Sequence, residues 1–212
     1  MKIKGVIFDL DGVICSTDNF HYLAWKAIAD QEGIPFDRAY NNNLRGVSRV
    51  DSLELILKRT SRVYTPEEKA KLCDQKNALY RSYLNQMKPS DVSADVLHTL
   101  SALKAKKIPI AIGSSSKNTQ LILTKIGLDK AFDAVADGTE ITHSKPDPEV
   151  FLLAAMKLGQ DPQDCLVIED AKNGILAANK GGFVSCGIGD AATCGLAAYP
   201  LHKISDILAL ID

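Results

Sequence analysis

The sequence predicts an α/β fold: a doubly wound parallel sheet as the core, with a helical cap domain inserted after the first strand. Three observations carry this expectation. Short apolar runs bounded by turn residues recur along the chain, and amphipathic helical patterns separate the later runs. One long segment, roughly 16–89, keeps helical periodicity with no clear strand.

The apolar runs fall at Gly5 to Phe8, Ile108 to Ile112, Ala134 to Ala136, Cys165 to Ile168 and Phe183 to Gly187, and each reads as a buried strand of a Rossmann-like sheet. Helical patterns follow at Asn118 to Ile126 and Pro148 to Leu158, with Gly127 and Gly159 at C′ positions. Within the insert, Thr65-Pro66-Glu67-Glu68 forms a helix start: Thr65 caps, Pro66 suits the first turn, and Glu68 completes a capping box for a helix reaching Asn85. The expected division is therefore a core of residues 1–15 and 90–212 and a cap of residues 16–89.

Bulk properties bound the function classes. A chain of 212 residues can bury one core plus a smaller appendage, and 46% apolar with 24% charged residues is an ordinary globular balance. A formal net charge of -1 supplies no field to gather nucleic acid or an anionic membrane, so neither is an expected partner. The five cysteines, Cys15, Cys73, Cys165, Cys186 and Cys194, are an odd number without a CxxC pair, which fits a reducing cytoplasm. The apolar stretch before Asp9 is too short for a signal-peptide core or a spanning helix. A monomer acting on a small molecule is the expectation.

The chemistry sits at strand ends. The first strand runs into Asp9-Leu10-Asp11-Gly12, two acids just beyond the carboxyl edge, where open α/β sheets hold their ligands. Alone, that pattern is equally an Asp-Gly turn. The second strand ends in Ser114-Ser115-Ser116-Lys117-Asn118, hydroxyls leading into a helix N-terminus suited to phosphate, although also an ordinary cap. Lys145 precedes the proline-started helix, where a lysine is usually just solvated. The fourth strand ends in Glu169-Asp170, adjacent acids that are costly to gather without a cation, and hard oxygen ligands beside a phosphate site point to magnesium.

Nucleophile pair, phosphate hydroxyls, phosphate lysine and metal acids, in that order, resemble the four motifs of the haloacid dehalogenase-like phosphotransferases over nearly the entire chain. The resemblance implies that Asp9 attacks phosphorus and that Asp11 is the general acid/base. It implies magnesium held by Asp9, the Asp11 carbonyl and Asp170, with Glu169 beside it. Ser114, Ser115 and Lys145 are then the clamp on the transferring phosphoryl, which needs neutralised equatorial oxygens.

Within the insert, Leu44-Arg45-Gly46-Val47-Ser48-Arg49-Val50-Asp51-Ser52 resembles the substrate-specificity loop of β-phosphoglucomutases. That likeness implies Arg49 on the phosphate that is not being transferred, with Gly46, Val47, Ser48 and Ser52 beside the sugar; a planar guanidinium suits such a bidentate contact. It also implies substrate or closure roles for Thr17, His21, Trp25 and Lys76, and a distal-phosphate role for Ser116, Lys117 and Asn118. By default His21 and Trp25, four apart, are helix packing, and Lys76 is a solvated helix residue. Two departures stand out: Ser16 replaces an acid near the hinge, and Arg45 stands where lysine is common. The implied reaction interconverts β-glucose 1-phosphate and β-glucose 6-phosphate. The alternatives are a sugar or polyol phosphate phosphatase on the same core and a catalytically idle phosphosugar sensor.

Overall fold

The computed structural model describes residues 2–211. One six-stranded sheet, parallel throughout, runs in the order β3-β2-β1-β4-β5-β6. The strands are β1 (Gly5–Phe8), β2 (Ile110–Gly113), β3 (Ala134–Ala136), β4 (Cys165–Glu169), β5 (Val184–Gly187) and β6 (Tyr199–Pro200). The helices are α1 (Asp18–Gln31), α2 (Arg38–Asn41), α3 (Arg49–Leu57), α4 (Pro66–Leu84), α5 (Ala94–Ala105), α6 (Thr119–Lys125), α7 (Glu149–Leu158), α8 (Lys172–Lys180) and α9 (Asp190–Thr193).

Strand β1 is central, with Val6 opposite Ile110 on one side and Leu166 on the other. Its carboxyl end lies where the strand order reverses direction, so the crevice there opens between β2 and β4. All four of its residues are buried, and alternate ones face opposite layers. Val6 and Phe8 join Ile112, Ile168, Leu100 and Leu103 in one cluster, whereas Ile7 joins Val167, Phe151 and Ala154 in another. Helices therefore cover both faces of the central sheet, and β1, β2 and β4 have no solvated side that would impose polar alternation.

Helices α1 to α4 lie between β1 and β2 in sequence and build a third cluster around Trp25, Ile28, Leu53, Ile56 and Leu72. The capping box at α4 forms: Thr65 Oγ1 accepts from Glu68 N at 3.2 Å, and Glu68 Oε2 accepts from Thr65 N at 2.9 Å. Such a cap is worth about 1 kcal/mol.

Two details differ from the sequence expectation. Strand β2 starts at Ile110 because Pro109 has no N–H and Ile108 N is drawn back to Leu103 O at 3.0 Å. Strand β6 is only two residues long, too short to leave a periodic trace. Among the described residues no helix is long and apolar enough to cross a membrane.

Candidate active site

Asp9 follows β1 directly, and its backbone N–H donates to Ile168 O at 2.9 Å, which pins it to the edge of β4. Lys145, only 2% exposed, donates to Asp9 Oδ1 at 2.6 Å and to Glu169 Oε1 at 2.7 Å, with its ammonium 4.4 Å from the Phe151 ring centre. Burial opposes a charge on that lysine, but Asp9 and Glu169 more than offset it and hold its pKa above the ordinary value. Glu169 Oε2 accepts from Ala171 N at 2.8 Å, so both of its oxygens are engaged. Two glycines make room for the acids. A side chain at Gly12, whose φ is 85°, would overlap the Asp170 carboxylate, and one at Gly174 would overlap that of Glu169.

Asp9, Glu169 and Asp170 are all buried and bring one oxygen each within 4.8 Å of one another. Burial, then Glu169 and Asp9, pushes Asp170 up to about 9 despite the pull of Arg45. Burial also raises Glu169, with Lys145 opposing. This excess of buried negative charge, carried on hard oxygen donors, fits a divalent cation. A more exposed trio, His143, Asp147 and Glu149, is occupied otherwise: Glu149 accepts from Thr142 N and His143 N at the start of α7.

Asp11 is held by Thr17, whose backbone N–H and hydroxyl donate to its two oxygens at 2.6 and 2.7 Å. The Thr17 hydroxyl meets the Tyr80 hydroxyl at 2.9 Å. Burial and the neighbouring Asp18 raise Asp11 to about 7, against the bonds from Thr17. A carboxyl near that value both takes and returns protons around neutrality.

Beside it, Lys76 Nζ lies 2.9 Å from His21 Nδ1, over the Trp25 and Tyr80 rings. Burial, then Lys76 and Arg49, keeps His21 neutral, well below its usual pKa. A charged Lys76 donates to Nδ1 and leaves the imidazole proton on Nε2, 3.7 Å from Asp11 Oδ2. Lys76 is itself lowered to about 7 by burial and Arg49.

That lowering has a thermodynamic consequence. Because the folded pKa lies below the unfolded one, the unfolded chain binds more protons between about 7 and 10.5, and stability rises with pH across that window. Below it, the folded protein carries a penalised charge. Lys76→Met should therefore stabilise the protein by about 2 to 4 kcal/mol at pH 6, with the gain shrinking towards pH 10. Denaturant melts at the two pH values measure this directly; an equal gain at both would contradict it.

The loop after β2 supplies the hydroxyls. Ser114 is buried, with its N–H on Ala136 O at 3.1 Å and its Oγ accepting from Ser116 N at 3.2 Å. Ser115 Oγ is buried without a partner among the described residues, a costly state for a hydroxyl unless a ligand supplies one. Asn118 caps towards the helical insert: its Oδ1 accepts from Arg81 at 3.0 Å and its Nδ2 donates to Asn77 at 3.0 Å.

The cap loop lies against the core. Ser48 N–H reaches Ser144 Oγ at 3.4 Å, and the Ser144 hydroxyl donates to Asp51 at 3.2 Å. Ser48 also caps α3 through Asp51 N, which sets Arg49 at the first helical position. The Arg49 guanidinium makes one long contact, 3.4 Å to Cys73 O, among the described residues, so most of its donors are uncommitted.

One cavity of about 800 Å³ joins these parts. Asp9, Asp11, Glu169, Asp170, Ser114, Ser115, Ser116, Lys117, Asn118 and Lys145 line it from the core. His21, Trp25, Gly46, Val47, Ser48, Arg49, Ser52 and Lys76 line it from the insert. Thr17 does not; it is 1% exposed and lies behind Asp11, which makes it a support for that carboxyl rather than part of the wall. Lys76 is not a solvated residue, being 3% exposed with its ammonium on His21 Nδ1, and His21 does more than pack, since its Nε2 faces Asp11; Trp25 packs in the insert cluster as well as lining the cavity. Sequence reasoning missed Tyr80 and Asn77, although Lys76 and Tyr80 stand four apart on α4 and so share a face. It also gave Arg45 no partner, while the structure pairs it with Asp18, Asp170 and Asp190.

Comparison with known proteins agrees with this geometry. A β-phosphoglucomutase of Bacillus subtilis is 41% identical over 207 residues, covering 97% of this chain and 92% of that one. A crystal structure of a β-phosphoglucomutase from Clostridium difficile superposes with a TM-score of 0.92 at 35% identity, covering 97% of this chain and 93% of that one. A phosphorylated-carbohydrates phosphatase of Thermotoga maritima is 27% identical over 184 residues, covering 85% of this chain and 82% of that one. The family model described as haloacid dehalogenase-like hydrolase matches residues 3–182, and the chain belongs to that family.

Proposed function

We propose that this protein interconverts β-glucose 1-phosphate and β-glucose 6-phosphate through a phosphoaspartate at Asp9 and a β-glucose 1,6-bisphosphate intermediate. The observation that carries the proposal is a single cavity with cationic groups on both walls: Lys145 in the core beside Asp9, and Arg49 on the cap with uncommitted donors. A bisphosphate must be held by both ends and accepted in two orientations, whereas a phosphatase needs one phosphate site. The named relatives of similar length are mutases at the higher identities.

In this reading the division of labour is a core of residues 1–15 and 90–212 under a cap of residues 16–89. Magnesium is the metal, held by Asp9, Asp170 and the Asp11 carbonyl with Glu169 beside them. When bound, it neutralises charge on the nucleophile and on the phosphoryl group. Asp9, already phosphorylated, donates to the free 6-hydroxyl while Asp11 accepts the proton. The bisphosphate turns end for end, its 1-phosphate returns to Asp9, and Asp11 protonates the departing oxygen. Ser114, Ser115 and Lys145 hold the moving phosphoryl; Arg49, Ser116, Lys117 and Asn118 hold the other. Closure of the Gly46 to Arg49 loop excludes water from the phosphoenzyme. In this reading the protein is a monomer of the reducing cytoplasm; a net charge of -1 supports a phosphosugar rather than nucleic acid as its partner, and five cysteines without a CxxC pair support the compartment.

The second reading, a sugar phosphate phosphatase, draws on relatives such as that of Thermotoga maritima. Arg49→Ala separates the two. Loss of a charge-assisted bidentate contact costs about 1.5 to 3 kcal/mol, or roughly 10- to 100-fold in rate. The expected result is that loss on conversion of β-glucose 1-phosphate, with hydrolysis of a simple aryl phosphate changed far less. Equal slowing of both reactions would favour the phosphatase.

A further inference from the structure

Arg45 lies between the turn Asn42–Leu44 and Gly46, on the cap, and its guanidinium spans to the core. Its Nη1 donates to Asp190 Oδ2 at 2.6 Å while its Nη2 engages the Asp170 carboxylate, with Asp18 3.6 Å away. The Arg45 carbonyl accepts from Asn173 at 3.4 Å. A planar fork reaches two carboxylates at once, which the point charge of a lysine does less well. Asp190 opens α9, and that segment is tied to the acids of β4: Ile188 N donates to Glu169 O at 2.8 Å and Ala191 N to Asp170 O at 3.0 Å. Its position is thus fixed relative to the reaction centre, yet it lies outside the catalytic cavity and its side chain is 76% exposed.

We infer that Asp190 is a positioning residue: by holding one arm of the Arg45 fork it latches the Gly46 to Arg49 loop over the cleft, and it thereby favours phosphoryl transfer to sugar over loss to water. The second half rests on the mutase reading above; the first does not. The other loop contacts are long, 3.4 Å from Ser48 N to Ser144 and 3.4 Å from Asn173 to Arg45, which leaves the fork as the shortest tie between loop and core. Of the three acids around the guanidinium, Asp190 alone stands outside the cavity wall, so altering it tests closure while every residue of that wall is kept.

Amide hydrogen exchange across residues 45–49, measured in the intact protein without substrate, reads the latch directly. Asp190→Asn and Asp190→Ala should each speed exchange there by about two- to fivefold at low salt, as suits an exposed ion pair, with β1 and β4 unchanged. The difference should vanish near 1 M salt, where screening acts over about 3 Å. Asp190→Glu should keep the wild-type rate. In turnover, inorganic phosphate released per sugar phosphate isomerised should rise about two- to fivefold in the same two variants. Unchanged exchange in both at low salt overturns the latch, as does Asp190→Glu behaving like Asp190→Ala. Faster exchange in a protein whose wild type isomerises no sugar phosphate would leave the latch standing and remove only the mutase reading.

Discussion

Asp9→Asn is expected to take up no acid-stable phosphate from any donor and to lose sugar-phosphate turnover by about 10⁴-fold or more. The amide keeps the shape of the carboxylate but not its charge, and charge is what the site is built around. Lys145 is almost fully enclosed between Asp9 and Glu169, and its charge is sustained by both. Removal of one acid leaves a buried ammonium with a single counter-charge, so part of the loss will come from a disturbed phosphate clamp rather than from the missing nucleophile. Mass spectrometry after exposure to a phosphoryl donor separates the two. A phosphorylated Asp9→Asn protein, with the adduct mapped to another residue, would move the reaction centre.

Asp11→Asn is expected to behave differently. The nucleophile and its lysine remain, so Asp9 should still become phosphorylated, while transfer to a sugar hydroxyl slows by about 10² to 10⁴-fold. The amide cannot take a proton from the attacking hydroxyl, and its nitrogen cannot accept from Thr17 as the carboxylate does. Because burial and Asp18 already raise Asp11 to about 7, replacing it with a neutral group should cost little stability. Equal phosphorylation with slower transfer marks a proton-handling role. Loss of phosphorylation in Asp11→Asn, matching that of Asp9→Asn, would instead mean that Asp11 only shapes the nucleophile loop.

Much of this site could be read from strand ends. Asp9, Ser114 and Glu169-Asp170 each follow or end a short apolar run, and a parallel sheet aligns those ends on one edge, so reading the runs correctly also assembles the acids and hydroxyls. Lys145 was less legible, since a lysine before a helix is normally solvated; only its burial between two acids distinguishes it. What the sequence could not convey is contact between cap and core. Arg45 meets Asp190 across 145 residues and Asp170 across 125, and Arg81 meets Asn118 across 37; such pairs leave no periodicity and depend on how the cap closes. The resemblance implies a substrate or closure role for Thr17, and its hydroxyl turns inward to Asp11 and Tyr80, away from the cavity and between the acid and the insert. Ser16, where an acid is common, is exposed.

Transfer to sugar rather than to water is the central claim, and anomer-resolved nuclear magnetic resonance of the products from β-glucose 1-phosphate measures it most directly. With a trace of β-glucose 1,6-bisphosphate as primer, the expected result is one β-glucose 6-phosphate for each substrate consumed, little inorganic phosphate, and slow turnover when the primer is withheld. Release of glucose and inorganic phosphate in equal amounts, at a rate indifferent to the bisphosphate, would contradict it.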